Sequence, residues 1–135
     1  MGSDLLIVDD VEEQLVLVKA VFSIVAPALK VETALGGDIA LKILKEGNLP
    51  KVILLDLQMP GKSGQEVLTE LKSDPKLKKI PVCIFSNADI PSEVCDCYAR
   101  GANQYFKKPA GLNQLKLFMA NFYGLWFTYV SYCPQ

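Results

Sequence analysis

The chain contains no histidine. That removes Ser-His-Asp catalysis, His-ligated zinc and His-based proton shuttling together. It also has little net charge, −1 from 14 basic and 15 acidic residues, so no field draws it to nucleic acid or to an anionic membrane. Cysteine is scarce. The four, Cys83, Cys95, Cys97 and Cys133, match no zinc-site spacing. Cys95 and Cys97 stand two apart on an expected helix, so they point to different sides. Cys83 lies in an apolar run and reads as core. All four are expected to be reduced thiols of a cytoplasmic protein. No basic segment leads into an apolar h-region, so no secretory signal is expected. The longest apolar region, near the C-terminus, is interrupted by polar residues, so no membrane span is expected. A Gly-x-x-x-x-Gly-Lys phosphate loop is missing too, which argues against a bound nucleotide.

What is present fits one domain: 135 residues, half of them hydrophobic, can bury one good core. The organising stretch is Lys51 to Gly61. Its apolar run Val52 to Leu55, bounded by Pro50 and Pro60-Gly61, reads as a strand buried on both faces. Asp56 follows at its carboxyl end. A charge there is costly unless paired, or unless it lies at the sheet edge where ligands bind. Taken alone, Asp56 reads equally well as a functional group and as a solvated strand end.

The rest of the chain alternates in the same way. Leu5 to Val8 is a short apolar strand ending at Asp9-Asp10. Leu15, Val18, Phe22 and Val25 then repeat at helical spacing, with Glu12 and Glu13 in the first turn, and Pro27 ends that helix. Val31 to Leu35 is a weaker strand. A helix carrying Ile39, Ile43 and Leu44 follows and closes at Gly47. After the Asp56 strand, Ser63 or Gly64 opens a helix with Val67, Leu68 and Leu71 on one side. Val82 to Phe85 is a fourth strand, ending at Ser86-Asn87. Pro91 and Gly101 bracket the next helix. Gln104 to Lys107 is the fifth strand, closed by Lys108-Pro109. Leu115, Phe118, Met119 and Phe122 form the apolar stripe of a last helix. Five strand–helix repeats with continuous rather than alternating strands predict an α/β fold, a doubly wound five-stranded parallel sheet sandwiched by five helices.

In such a fold the ligand site lies outside the carboxyl ends of the strands. Asp9, Asp10, Asp56, Ser86 and Lys108 all fall at that edge. Polar groups at four separate strand ends point to a site rather than to isolated solvated residues. Three converging carboxylates repel and call for a cation. Oxygen ligands without His or Cys suit a hard ion such as Mg²⁺, with Mn²⁺ as the alternative. Lys108 is a point charge suited to a phosphate-like oxygen, and Ser86 offers a hydroxyl to the same group. A carboxylate can itself be the nucleophile and form an aspartyl-phosphate.

The motifs Leu5-Leu6-Ile7-Val8-Asp9-Asp10, Leu55-Asp56-Leu57-Gln58-Met59-Pro60-Gly61, Phe85-Ser86-Asn87-Ala88, Gly101-Ala102 and Tyr105-Phe106-Lys107-Lys108-Pro109 together resemble the receiver domains of two-component response regulators, the flavodoxin-like fold of the bacterial chemotaxis regulator. The resemblance covers Leu5 to Phe122. It implies that Asp56 is the phosphoacceptor and that Asp9, Asp10, Asp56 and the backbone carbonyl of Gln58 hold Mg²⁺. It implies that Lys108 contacts the phosphoryl group and follows the family in preceding a cis proline, Pro109. Ser86 and Tyr105 become the switch residues. The phosphodonor is then a sensor histidine kinase or a phosphotransfer protein.

Two features depart from that pattern. Asn87 replaces the small Ala usual after the Ser or Thr, next to the path of the phosphoryl group. The C-terminus carries Leu125, Trp126, Phe127, Tyr129, Val130 and Tyr132 instead of a polar linker. The expected organisation is therefore a receiver unit over 4–124 and an apolar extension over 125–135. Left exposed, the extension would form a large apolar patch, so it either packs back on the domain or joins a homodimer; the face of the fourth helix, fifth strand and fifth helix is the other candidate dimer surface. The expected function is a stand-alone response regulator receiver, not an enzyme. The rival readings are a Mg²⁺-dependent aspartyl-phosphate hydrolase or phosphatase, a pseudo-receiver, and a receiver fragment of a larger hybrid protein.

Overall fold

Each strand sends successive side chains to opposite faces, and this period of two sorts the apolar residues into two cores. The computed structural model describes residues 2–134, so Gln135 of the extension lies outside the described residues. The strands are β1 (Leu5–Asp9), β2 (Val31–Leu35), β3 (Val52–Leu55), β4 (Val82–Ser86) and β5 (Gln104–Lys107). The helices are α1 (Glu12–Val25), α2 (Gly37–Lys45), α3 (Gly64–Ser73), α4 (Pro91–Ala99) and α5 (Leu112–Gly124). The strands form one parallel sheet in the order β2-β1-β3-β4-β5. Leu6, Val8, Ile53, Leu55, Val82 and Ile84 face one core, with Ala40, Leu41 and Leu44 of α2, Val67, Leu68 and Leu71 of α3, and Cys97 of α4. Leu5, Ile7, Val52, Leu54, Cys83 and Phe85 face the other, with Leu15, Val18 and Phe22 of α1 and Leu115, Met119 and Phe122 of α5. The expected doubly wound α/β fold is the observed one.

One helical face differs from expectation. Ile39 is exposed, and Gly37, Ala40, Leu41 and Leu44 turn inward. The reason is the start of α2. Gly37 is buried so closely against Val67 that a Cβ there would lie 2.5 Å from its side chain. That approach sets the helix rotation, and Ile43 is left half-buried at the margin of the core.

The C-terminal residues pack back on the domain. After α5 the chain continues in a five-residue π-helix, Leu125–Tyr129. Trp126 is buried in the α1–α5 core, and its indole N–H donates to Gln104 Oε1 at 3.0 Å. Its ring lies 6.2 Å from that of Phe122. The Tyr132 hydroxyl donates to the Trp126 carbonyl and closes the turn. An indole with its donor satisfied gains the full benefit of burial.

Among the described residues no helix is long and apolar enough to cross a membrane.

Candidate functional site

The chain runs from β1 outward to β2, then returns to place β3 on the other side of β1. That reversal opens a crevice at the carboxyl ends of β1 and β3. Asp9 and Asp10 lie at the end of β1, and Asp56 is the residue just after β3. Carboxylate oxygens of Asp9, Asp10 and Asp56 all come within 4.8 Å of one another. The β3–α3 loop turns back over the site at Gly64. A Cβ on Gly64 would lie 2.3 Å from the Asp56 carbonyl oxygen, so only glycine allows this approach. Just before it, Ser63 and Glu66 form a reciprocal capping box that fixes where α3 begins.

Lys108 links the acids. Its Nζ lies 3.0 Å from Asp9 Oδ2 and 3.6 Å from Asp56 Oδ1. The same ammonium sits 5.7 Å above the Phe85 ring, a cation–π contact that the sequence did not disclose. The Lys108 backbone N–H donates to the Ser86 carbonyl at 2.7 Å, which ties the lysine to the end of β4. Among the described residues no peptide bond is cis, so the expected cis bond before Pro109 is not found. The trans form is the lower-energy isomer by about 0.5–1 kcal/mol. The flexible four-carbon stem of lysine still carries the ammonium to the acids from a trans backbone.

Asp9 is well satisfied, accepting the Val11 N–H at 3.0 Å as well as Lys108. Asp56 is not. Its side chain is only 7% exposed, and its Oδ1 is buried without a hydrogen-bond partner. Burial pushes the Asp56 carboxyl up to about 6, with Lys108 pulling it down, Asp9 pushing it up, the Gln58 backbone N–H pulling it down and Asp10 pushing it up. Three carboxylates against one ammonium leave the crevice short of positive charge. An orphaned acid oxygen in an all-oxygen cluster suits a hard divalent cation. The donor set therefore fits the metal that the sequence predicts.

The remaining expected residues gather beside this cluster. Ser86 is fully buried, and its Oγ accepts weakly from the Ala88 N–H at 3.5 Å. Tyr105 is half-buried on β5, and its hydroxyl donates to the Ala88 carbonyl at 2.7 Å. Gln58 is exposed at the mouth of the site, and Asn87 is exposed on the β4–α4 loop beyond Ser86. Ala88 and Phe85 are the partners that sequence reasoning missed. Both sit within the quoted Phe85-Ser86-Asn87-Ala88 motif, but their contacts depend on how β4, β5 and the following loop pack.

The response regulator receiver domain profile matches residues 5–119. The chain belongs to this family. The relatives bear the same kind of name. Response regulator PleD of Caulobacter vibrioides is 35% identical over 109 residues, 81% of this chain and 23% of PleD. Response regulator Rcp1 of Synechocystis sp. is 35% identical over 82 residues, 61% of this chain and 56% of Rcp1. The chain thus spans about a quarter of PleD and just over half of Rcp1. The crystal structure of the phosphorylated cyanobacterial phytochrome response regulator RcpA superposes with a TM-score of 0.90 at 28% identity, covering 99% of this chain and 100% of that one. The likeness to RcpA therefore runs past Gly124 into the extension. The Mn²⁺-bound form of response regulator Rcp1 superposes with a TM-score of 0.83 at 28% identity, covering 98% of this chain and 100% of the other.

Proposed function

We propose that this receiver accepts a phosphoryl group on Asp56 from a phosphohistidine of a sensor histidine kinase or phosphotransfer protein, and so switches a protein-interaction surface. The observation that carries this reading is the buried Asp56 oxygen without a hydrogen-bond partner, 3.6 Å from Lys108 at the sheet edge. An Asp56 oxygen attacks phosphorus. The O–P bond forms as the P–N bond breaks, and the imidazole nitrogen leaves with that electron pair. Asp9, Asp10, Asp56 and the Gln58 carbonyl are the groups that would hold Mg²⁺ or Mn²⁺. The bound ion supplies charge neutralisation for the phosphoryl oxygens. Lys108 supplies a second positive charge, held over the site by the Phe85 ring and the Ser86 carbonyl. Ser86 then donates its hydroxyl to the transferred group and draws the β4–α4 loop with it, and Tyr105, bonded to Ala88 in that loop, follows. A change of this kind is a population shift limited by the difference in interaction energy between the two states.

The four cysteines are free, which fits a reducing, cytoplasmic setting. The extension supports a homodimer contact as well. No charged residue occurs from Leu117 to the C-terminus. Leu117, Leu125 and Tyr129 are 58%, 43% and 80% exposed there. Light scattering on the parent and on Leu125→Glu/Tyr129→Glu tests this contact; a parent that is monomeric at high concentration removes it.

Intact-mass spectrometry with acetyl phosphate and Mg²⁺ tests the acceptor. One phosphoryl adduct is expected, absent in Asp56→Asn and without multiple turnover of the donor. An adduct persisting in that variant refutes the assignment. With Ser86→Ala or Tyr105→Ala, the adduct should form while the phosphorylation-dependent change in partner binding or dimerisation is lost.

A further inference from the structure

The end of the parallel sheet opposite Asp56 is rich in lysine. Asp4, Lys51 and Pro81 stand just before β1, β3 and β4 and mark this amino edge. Two hollows open along it. One, of about 410 Å³, lies between residues 2–4 and the C-terminal extension; Leu49, Pro50, Pro81 and Tyr132 give it apolar walls, and Lys51 and Lys79 line it too. The other, of about 430 Å³, has apolar walls of Leu44, Leu49, Pro75 and Leu77 and carries Lys45 and Lys76. Leu49 lines both, so the two are adjacent. Lys45 lies in the last turn of α2, where the helix dipole favours a cation. Lys51, Lys76 and Lys79 lie in loops, beyond the reach of that effect. The acids beside them are already engaged. Asp74 Oδ1 accepts the Lys76 and Leu77 N–H groups at 2.8 and 3.1 Å. Asp4 Oδ2 accepts the Lys30 N–H at 2.9 Å, and Asp4 Oδ1 lies 3.6 Å from Lys51 Nζ. Among the described residues, Lys76 and Lys79 are exposed and belong to no ion pair. Ser3, in the first hollow, has its Oγ buried without a hydrogen-bond partner. Such a hydroxyl is costly, and an incoming acceptor relieves it.

We propose that this amino-edge groove is a docking site for an acidic, partly apolar segment of a partner protein. Apolar side chains of the segment enter the two hollows on either side of Leu49. Its carboxylates meet Lys51, Lys76 and Lys79, and one of its oxygens accepts from the Ser3 hydroxyl. Charge complementarity decides the class of occupant, because a basic segment would be repelled by the lysines around both hollows. The apolar walls decide the rest. A nucleic acid offers phosphates but no aliphatic side chain to fill the hollows, and a bilayer surface is too flat to enter them.

The test is NMR on the full chain, following backbone amides as a short peptide alternating Glu with Leu is added at low salt. The amides of Leu49, Lys51, Leu77 and Lys79 should shift together and saturate, while those of Asp9 and Asp10 at the other edge stay in place. Added salt should weaken the binding, because charges at an exposed rim are screened. Lys76→Glu/Lys79→Glu alters one lysine at each hollow, both exposed, so its remaining amides should match the parent's. Its affinity for the peptide should fall about tenfold, or about 1.4 kcal/mol. The same peptide with Lys for Glu, or with Ser for Leu, should not bind. Absence of a saturable shift in the parent overturns the proposal, as does parent-like affinity in Lys76→Glu/Lys79→Glu or equal binding of the Ser-for-Leu peptide. Oligouridine or phosphatidylglycerol vesicles that shift the same amides as strongly as the peptide overturn it too, since the surface would then read negative charge alone.

Discussion

Replacing Asp56 by Asn should stabilise the metal-free protein at neutral pH. The Asp56 carboxyl is raised from its ordinary value of 3.8 to about 6, chiefly by burial. A raised carboxyl means that the folded chain binds its proton more tightly than the unfolded chain. Stability from this group is therefore fully present below 3.8, falls as pH rises towards 6, and is flat above. A shift of about two pKa units at 1.36 kcal/mol each makes the ionised Asp56 cost about 3 kcal/mol at pH 7.5. Asn keeps the shape and carries no charge, so the variant should gain about 1–3 kcal/mol there and almost nothing near pH 4. Urea unfolding of both proteins in EDTA, from pH 4 to pH 8, measures the difference. Saturating Mg²⁺ should then close much of the gap, because a ligand at 100 times its Kd adds about 2.7 kcal/mol to the parent. A variant less stable than the parent at pH 7.5, or a gain that does not change with pH, would refute the reasoning.

Other substitutions probe the scaffold. Gly64→Ala should destabilise the chain by about 1–3 kcal/mol, because its Cβ meets the Asp56 carbonyl at 2.3 Å. An unchanged urea midpoint would show that the β3–α3 loop gives way freely. Trp126→Ala should cost about 3–5 kcal/mol, as expected for a core aromatic, because the indole is buried against Phe122 and bonded to Gln104. A loss under 1 kcal/mol would mean that the extension does not share the domain's core.

The alternation of strand and helix was legible because continuous apolar runs such as Val52 to Leu55, short and bounded by Pro50 and Pro60-Gly61, fit strands covered on both faces better than helices. The acids at the ends of those runs were legible for the same reason, since the parallel arrangement sends every strand's carboxyl end to one edge. The residue types Asp, Lys and Ser then restricted the chemistry. The rotation of α2 was not legible. It depends on how closely Gly37 meets Val67, and hydrophobic periodicity carries no such distance. The fate of the aromatic extension was also undetermined, because burial against the same chain and burial against a partner remove the same apolar surface from water. In the folded chain the Trp126 indole meets the α1–α5 core and the Phe122 ring and finds a hydrogen-bond partner in Gln104, and these contacts from separate elements turn it inward. The peptide bond before Pro109, the seat of Lys108 over Phe85 and the reach of Tyr98 to the edge of β5 are likewise products of packing. Each depends on residues brought together from separate elements, and local sequence records what a residue can do but not which neighbour it meets.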